Sequence, residues 1–240
     1  VKFKQPRVAP PGFTNSRKAI SSYFNNNDDI VTILLTAHAK GTQSLELTMD
    51  HLYYMTNDKN KFLPGELSDT TLQKLGRLAT KLGIKLTLHS PLTGANVGEQ
   101  DNPQSFFHPT NNVKLYKDTI RAAAMMNAET VVMHISRVGA TEQEKAEEAV
   151  KLAEIVAHAE VVAQETGNNV VVGIENSVDR AADIHYHTAD EVIDTLSRVK
   201  AELEKTSPEA VKHLGITLDL AHTNLAEGDA LVHNERIISY

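Results

Sequence analysis

The chain contains no cysteine. Disulfides and thiolate metal sites are therefore excluded, and any metal ion must be held by its 11 His and 31 acidic residues. Long hydrophobic runs are also missing. The longest apolar-looking stretch, residues 30–39 (IVTILLTAHA), includes a His and two Thr and falls well short of the ~20 residues that span a bilayer. The N-terminal VKFKQPRVAPPGF has no apolar core of the secretory kind. Basic charge is not in excess: the net charge of -7 gives no global attraction to nucleic acid, although a local basic groove stays compatible with it. No linker or low-complexity tract divides the chain. These absences predict a single cytoplasmic domain over 1–240 with no membrane partner, and 240 residues at 41% hydrophobic suffice for a large core.

What is present is a recurring unit: an amphipathic helix, a small residue, a short β-branched run, then polar loop residues. TLQKLGRLATKLG leads into IKLTLHS (84–90), and NVKLYKDTIRAAAMMNA into ETVVMHIS (129–136). The segment 141–167 leads into NNVVVGIENS (168–177), and ADEVIDTLSRVKAELEK, through Pro208, into GITLDLAH (215–222). Thr141 with Glu144 and Thr188 with Glu191 fit the capping box, and Gly83, Gly167 and Gly215 stand where a left-handed C-cap or tight turn calls for glycine. Upstream, a helix around 29–40 precedes a strand in QSLELTMD (43–50), and a further strand is expected near 3–8 despite Pro6, Pro10 and Pro11. Met125 and Met126 read as helix core.

Strands alternating with helices imply a parallel sheet, either open and doubly wound or closed as a barrel. No G-x-G-x-x-G or phosphate-loop signature follows any strand, which removes the commonest reason for the open form. A closed (β/α)₈ barrel needs eight strands. This chain offers a weak first strand, five clear ones and ERIISY (235–240), so the expected fold is an α/β TIM barrel truncated in or after its seventh strand.

Period-2 alternation then sorts each strand into two faces. Ile84, Leu86 and Leu88 oppose Thr87 and His89; Val131, Met133 and Ile135 oppose Val132 and His134. Val170, Val172 and Ile174 oppose Gly173 and Glu175; Ile216, Leu218 and Leu220 oppose Thr217 and Asp219. If the larger apolar set packs on the helices, His89, His134, Glu175 and Asp219 all point inward at C-terminal strand ends, where parallel barrels carry chemistry. Two His and two carboxylates make a nitrogen and oxygen donor set suited to Zn²⁺, Mn²⁺, Fe²⁺ or Co²⁺.

Each residue also has a plainer reading. A lone inward His is more often a hydrogen-bonded core residue. Asp219 could cap a helix, Glu175 could neutralise Lys85, and His222 could bond within its loop. Glu46 fits either the site or an internal ion pair. His185 and His187 (DIHYHT) read as a solvated loop, and the charges of TEQEKAEEAVKLAEIV as a solvated helix face.

LTLHSP (86–91), NAETVVMHIS (127–136), VVVGIENS (170–177) and LGITLDLAHTNLAEGD (214–229) occur in an order that resembles the xylose-isomerase-like TIM barrels. That family includes sugar isomerases and epimerases and the endonuclease IV type of AP endonuclease. The resemblance covers roughly 44–229, and D-x-x-H followed by a small or acidic residue and Gly is its most specific piece. It implies that Glu175 and Asp219 are metal ligands. His89, His134 and His222 are then further ligands in an endonuclease-like zinc cluster, or substrate-contacting groups in an isomerase. The family completes its site with a His from the seventh strand and a Glu from the eighth, which this chain lacks.

On the isomerase reading, a divalent ion (Zn or Mn, with Mg or Co as alternatives) polarises a carbonyl and its neighbouring hydroxyl in a sugar or sugar phosphate. Glu175, or the family's eighth-strand Glu, moves the proton, the catalytic His222 orients hydroxyls with His89 and His134, and Arg137, Asn176 and Arg180 contact the substrate. A homo-oligomer is compatible with this. The endonuclease reading would make DNA the partner. Leu92 stands where that branch carries an aromatic wedge, and NSVDR (176–180) replaces its small-residue and glycine run, whereas HISRVG (134–139) is similar to its fourth-strand loop. The third reading is a barrel that binds a ligand without catalysis.

Overall fold

The computed structural model of the protein describes residues 19–21, 30–48, 67–90, 113–134, 141–176, 178–179, 185–186 and 188–219. In chain order the elements are β1 (Ala19–Ser21), α1 (Ile30–Ala39), β2 (Ser44–Thr48), α2 (Asp69–Lys81), β3 (Lys85–His89), α3 (Val113–Met125) and β4 (Thr130–His134). They continue with α4 (Glu142–Thr166), β5 (Val171–Glu175), β6 (Val178–Asp179), β7 (His185–Tyr186), α5 (Ala189–Thr206), a 3₁₀ turn (Pro208–His213) and β8 (Leu214–Thr217).

Six strands form one sheet in the order β1-β2-β3-β4-β5-β8, every pair parallel. This is the predicted repeat, with neighbours in space following neighbours in sequence as in a TIM barrel. The alternation reading holds for the central strands. Leu86, Leu88, Val131, Met133, Val172 and Ile174 are buried in the core that the helices cover. The expected strand near 3–8 and the stretch 235–240 lie outside the described residues; the first described strand is β1. The short antiparallel ribbon of β6 and β7 stands where a loop was predicted around DIHYHT.

The helices begin and end where their capping residues dictate. Ser68 caps α2, its hydroxyl accepting from the Thr71 amide at 3.3 Å, and the spacing of Leu72, Leu75, Gly76 and Ala79 gives the helix one buried face. Thr141 with Glu144 opens α4, and Thr188 with Glu191 opens α5, both as complete capping boxes. Gly83 and Gly167 adopt φ of 70° and 74°, the left-handed conformation expected of them. Gly215 differs from expectation: it lies within β8, opposite Gly173, where a Cβ would press on the Val171 side chain. Its role is close strand approach and not a helix cap.

Ile216 also departs from the reading, being exposed although its phase assigns it to the helix-covered face. β8 is the last strand of the described sheet, with β5 as its one strand neighbour there. Met126 is fully buried and Met125 packs against the core, as predicted.

His213, unremarked in the sequence, is a buried tie at the base of the sheet. One ring nitrogen faces the Val170 carbonyl at 2.8 Å and the other the Glu160 carboxylate at 2.8 Å, joining the 3₁₀ turn to α4 and the start of β5.

Gly76 sets how closely α2 approaches the turn after α3, because a Cβ there would collide with the backbone of Met126. In an ordinary helix interior Gly→Ala stabilises by up to ~1 kcal/mol. Here the sign reverses: Gly76→Ala is expected to destabilise by about 1–3 kcal/mol through overpacking, measurable as a lower midpoint in urea.

Candidate metal centre

β3, β4 and β5 each end on a polar residue, and the sheet register brings those three ends together. His134 is level with Glu175, while His89 is level with Val132, one inward position below His134. All three side chains are buried, at 5%, 8% and 7% exposure for His89, His134 and Glu175. Glu175 Oε2 lies 2.9 Å from His134 Nε2 and 3.3 Å from His89 Nε2. The two imidazoles meet edge to face, with ring centres 4.8 Å apart at 89°. Their potential ligand atoms all fall within 4.8 Å of one another.

The hydrogen bonds of His89 suit this cluster to a cation. Its Nδ1–H donates to the Ser90 carbonyl at 2.7 Å. In the neutral ring that leaves a bare lone pair on Nε2, aimed at a carboxylate oxygen. Two such acceptors repel, so the arrangement is stable when the ring is protonated or when a cation lies between the two atoms. A metal-bound His commonly donates its other N–H to a backbone carbonyl in this way. The separations of 2.9 and 3.3 Å also suit ligands sharing one ion, since metal bonds of about 2.0–2.2 Å place neighbouring ligands about 3.0–3.5 Å apart. The donor set therefore fits a divalent metal.

The electrostatics agree. Burial pulls the His89 pKa down, but the hydrogen bond and charge of Glu175, the Ser90 carbonyl and the charge of Glu46 outweigh it and raise it above its ordinary value. Burial pushes the Glu175 carboxyl up, yet hydrogen bonds from His134 and His89 dominate and hold it far below the usual carboxylate range. Glu175 thus stays ionised against its burial.

Asp219 follows β8 on the same rim, partly buried, but its carboxylate is not part of the three-residue cluster. Its backbone is held by Asn176, whose amide donates to the Asp219 carbonyl at 2.9 Å and accepts from the Asp219 N–H at 2.7 Å. Asn176, read in sequence as a substrate contact, makes two hydrogen bonds to this main chain. His222, Arg137 and Arg180 lie outside the described residues. Lys85 does not neutralise Glu175; it pairs with Glu129 at the opposite end of the sheet. Glu46, on the inner face of β2, is near enough for its charge to act on His89. A pattern of inward-phase residues could flag Glu46, but nothing in the sequence signals the Asn176–Asp219 bond.

The xylose isomerase-like TIM barrel model matches residues 37–239. The chain belongs to that family. No curated protein sequence matches it. Among solved structures, L-ribulose 3-epimerase superposes with a TM-score of 0.62 at 13% identity, over 92% of this chain and 66% of that one. The D-psicose 3-epimerase of Clostridium cellulolyticum H10, solved with D-tagatose, gives 0.61 at 17% identity, over 93% and 70%. The D-allulose 3-epimerase of Methylomonas sp. gives 0.61 at 12%, over 92% and 70%. At such identities the likeness is one of fold. The chain spans just under two thirds of the first of these relatives, at 66% of its length. Within the family's barrel, the His–His–Glu cluster occupies the C-terminal rim of the strands.

The pKa shifts fix a pH dependence for the metal-free protein. Glu175 is depressed, so its contribution is present above the ordinary value of 4.5 and fades as pH falls towards its lowered folded value. His89 is raised, so its contribution is complete below 6.5 and is lost as pH rises through the folded value. The chelated protein should be most stable between these limits and weaken above them, and Glu175→Gln should flatten the decline at the alkaline side. Urea midpoints across pH read this directly; an unchanged alkaline slope in the variant would contradict the pairing.

Proposed function

We propose that the protein is a divalent-metal-dependent sugar or sugar-phosphate isomerase or epimerase that acts by proton transfer. The observation that carries this reading is the buried His89–His134–Glu175 cluster at the C-terminal rim, with the Nε2 atoms of both imidazoles directed at one carboxylate oxygen. The family supports it, as do the three structural neighbours described above, each a sugar 3-epimerase.

His89, His134 and Glu175 would hold the ion, with Asp219 as a further carboxylate ligand and His222 as a ligand or substrate contact. Zn²⁺ and Mn²⁺ suit the donor set, and Mg²⁺ or Co²⁺ are compatible with it. When bound, the ion supplies Lewis-acid polarisation of a carbonyl and its adjacent hydroxyl. The residues do the rest. Glu175 Oε2 is engaged by both histidines, and among the described residues no hydrogen bond reaches Oε1, which leaves that oxygen to accept a proton from carbon. His222 is the proposed partner in proton transfer, and Arg137 and Arg180 the groups that would meet a phosphate.

Plasma mass spectrometry should find about one transition metal per chain, lost in Glu175→Ala and in Asp219→Ala. In D₂O the metal-loaded protein should exchange deuterium into a ketose at the carbon beside the carbonyl, and Glu175→Gln should lower that rate about 10²–10⁴-fold. Two His on one carboxylate also suit a multinuclear site. Two or three zinc ions per chain with no exchange into sugars would therefore move the assignment to the endonuclease branch, and no metal at all to a non-catalytic binding barrel.

A further inference from the structure

The backbone ladder between β5 and β8 ends at the pair Glu175↔Thr217. Asp219 lies two residues beyond that last rung, outside the strand. Asn176 is the next residue after Glu175 and is 1% exposed. Its side chain supplies the missing rung, with Nδ2 donating to the Asp219 carbonyl at 2.9 Å and Oδ1 accepting the Asp219 N–H at 2.7 Å. A primary amide carries a donor and an acceptor side by side, as a peptide unit does, so it can pair with one residue's N–H and C=O together. The result is a closed ring: Glu175 to Asn176 by covalent bond, Asn176 to Asp219 by two hydrogen bonds, and Thr217 back to Glu175 through the ladder.

We propose that Asn176 is a positioning residue that fixes the Asp219 backbone beside the Glu175 strand end, so that metal affinity depends on an amide that bonds the main chain. This rests on the metal-dependent reading above and assigns the amide a task distinct from ligation or substrate contact. No other side chain of similar size does the same. Aspartate would turn an acceptor towards the Asp219 carbonyl. Leucine would take both side-chain partners from the part-buried N–H and C=O of Asp219. Asp219 would then sample positions relative to Glu175, and the two carboxylates would no longer meet one ion.

The test uses the full chain with Asn176→Asp and Asn176→Leu, both checked for native circular dichroism. Two readouts separate positioning from general stability. The first is hydrogen exchange of the Asp219 amide in chelated protein, which should be protected in the wild type and exchange fast in Asn176→Leu, where its acceptor is gone. The second is Co²⁺ titration followed by visible absorption. Affinity should fall about 10–100-fold in the variants, the usual loss when a ligand's supporting bond is removed, with an altered absorption envelope.

Wild-type affinity and spectrum in Asn176→Asp would overturn the proposal. So would an Asp219 amide that exchanges at an exposed rate in the wild type. A wild-type protein that binds no Co²⁺ would overturn the metal reading and this proposal's dependence upon it. That failure remains distinguishable, because the exchange experiment reports the amide bond without any metal.

Discussion

Two imidazoles converge on one carboxylate oxygen, Glu175 Oε2, in surroundings nearly closed to water. A buried carboxylate without compensation would take up a proton, and a buried imidazole would give its proton up. Each arrangement persists here because of the other. The Ser90 carbonyl completes the constraint by holding the proton of His89 on Nδ1 and turning Nε2 towards Glu175. Protons and divalent cations then compete for the same space. Acid fills it with protons, and as pH rises the lone pairs become available to metal.

The rest of the fold serves that convergence. β3, β4 and β5 must end at matched heights, and the pairing of His89 with Val132 and of His134 with Glu175 provides the stagger. Beneath Glu175, Gly173 leaves room for the Thr217 hydroxyl, since a Cβ there would collide with it. β5 and β8 therefore approach closely below the site, and Asn176 continues the contact above it. At the other end, His213 fixes the start of β5 through Val170 and ties it to α4 through Glu160. The two carboxylate-bearing strand ends are thus braced from below and above.

Much of this was legible in the sequence because it rests on local rules. Helix starts follow from Thr141, Thr188 and their glutamates, and the turns at Gly83 and Gly167 follow from glycine's freedom at positive φ. The inward phase of His89, His134 and Glu175 follows from a period of two, and the parallel order from helices between strands. What escaped the reading depends on register or on contacts between distant residues. Gly215 looked like a cap, because a close approach between two strands has no sequence signature. Lys85 shared the phase of His89 but sits at the other end of the strand, where Glu129 meets it. The bond from Asn176 to Asp219 spans 43 residues of sequence and so has no local signature.

The most direct test of the His89–His134–Glu175 centre is a two-bond ¹H–¹⁵N spectrum of the histidine rings, recorded on chelated protein at alkaline pH and again after one equivalent of Zn²⁺. His89 should be the Nδ1–H tautomer, and zinc should shift the Nε2 resonances of His89 and His134 while leaving those of His213 unchanged. An Nε2–H tautomer at His89, or zinc-induced shifts confined to other histidines, would contradict this assignment of the centre.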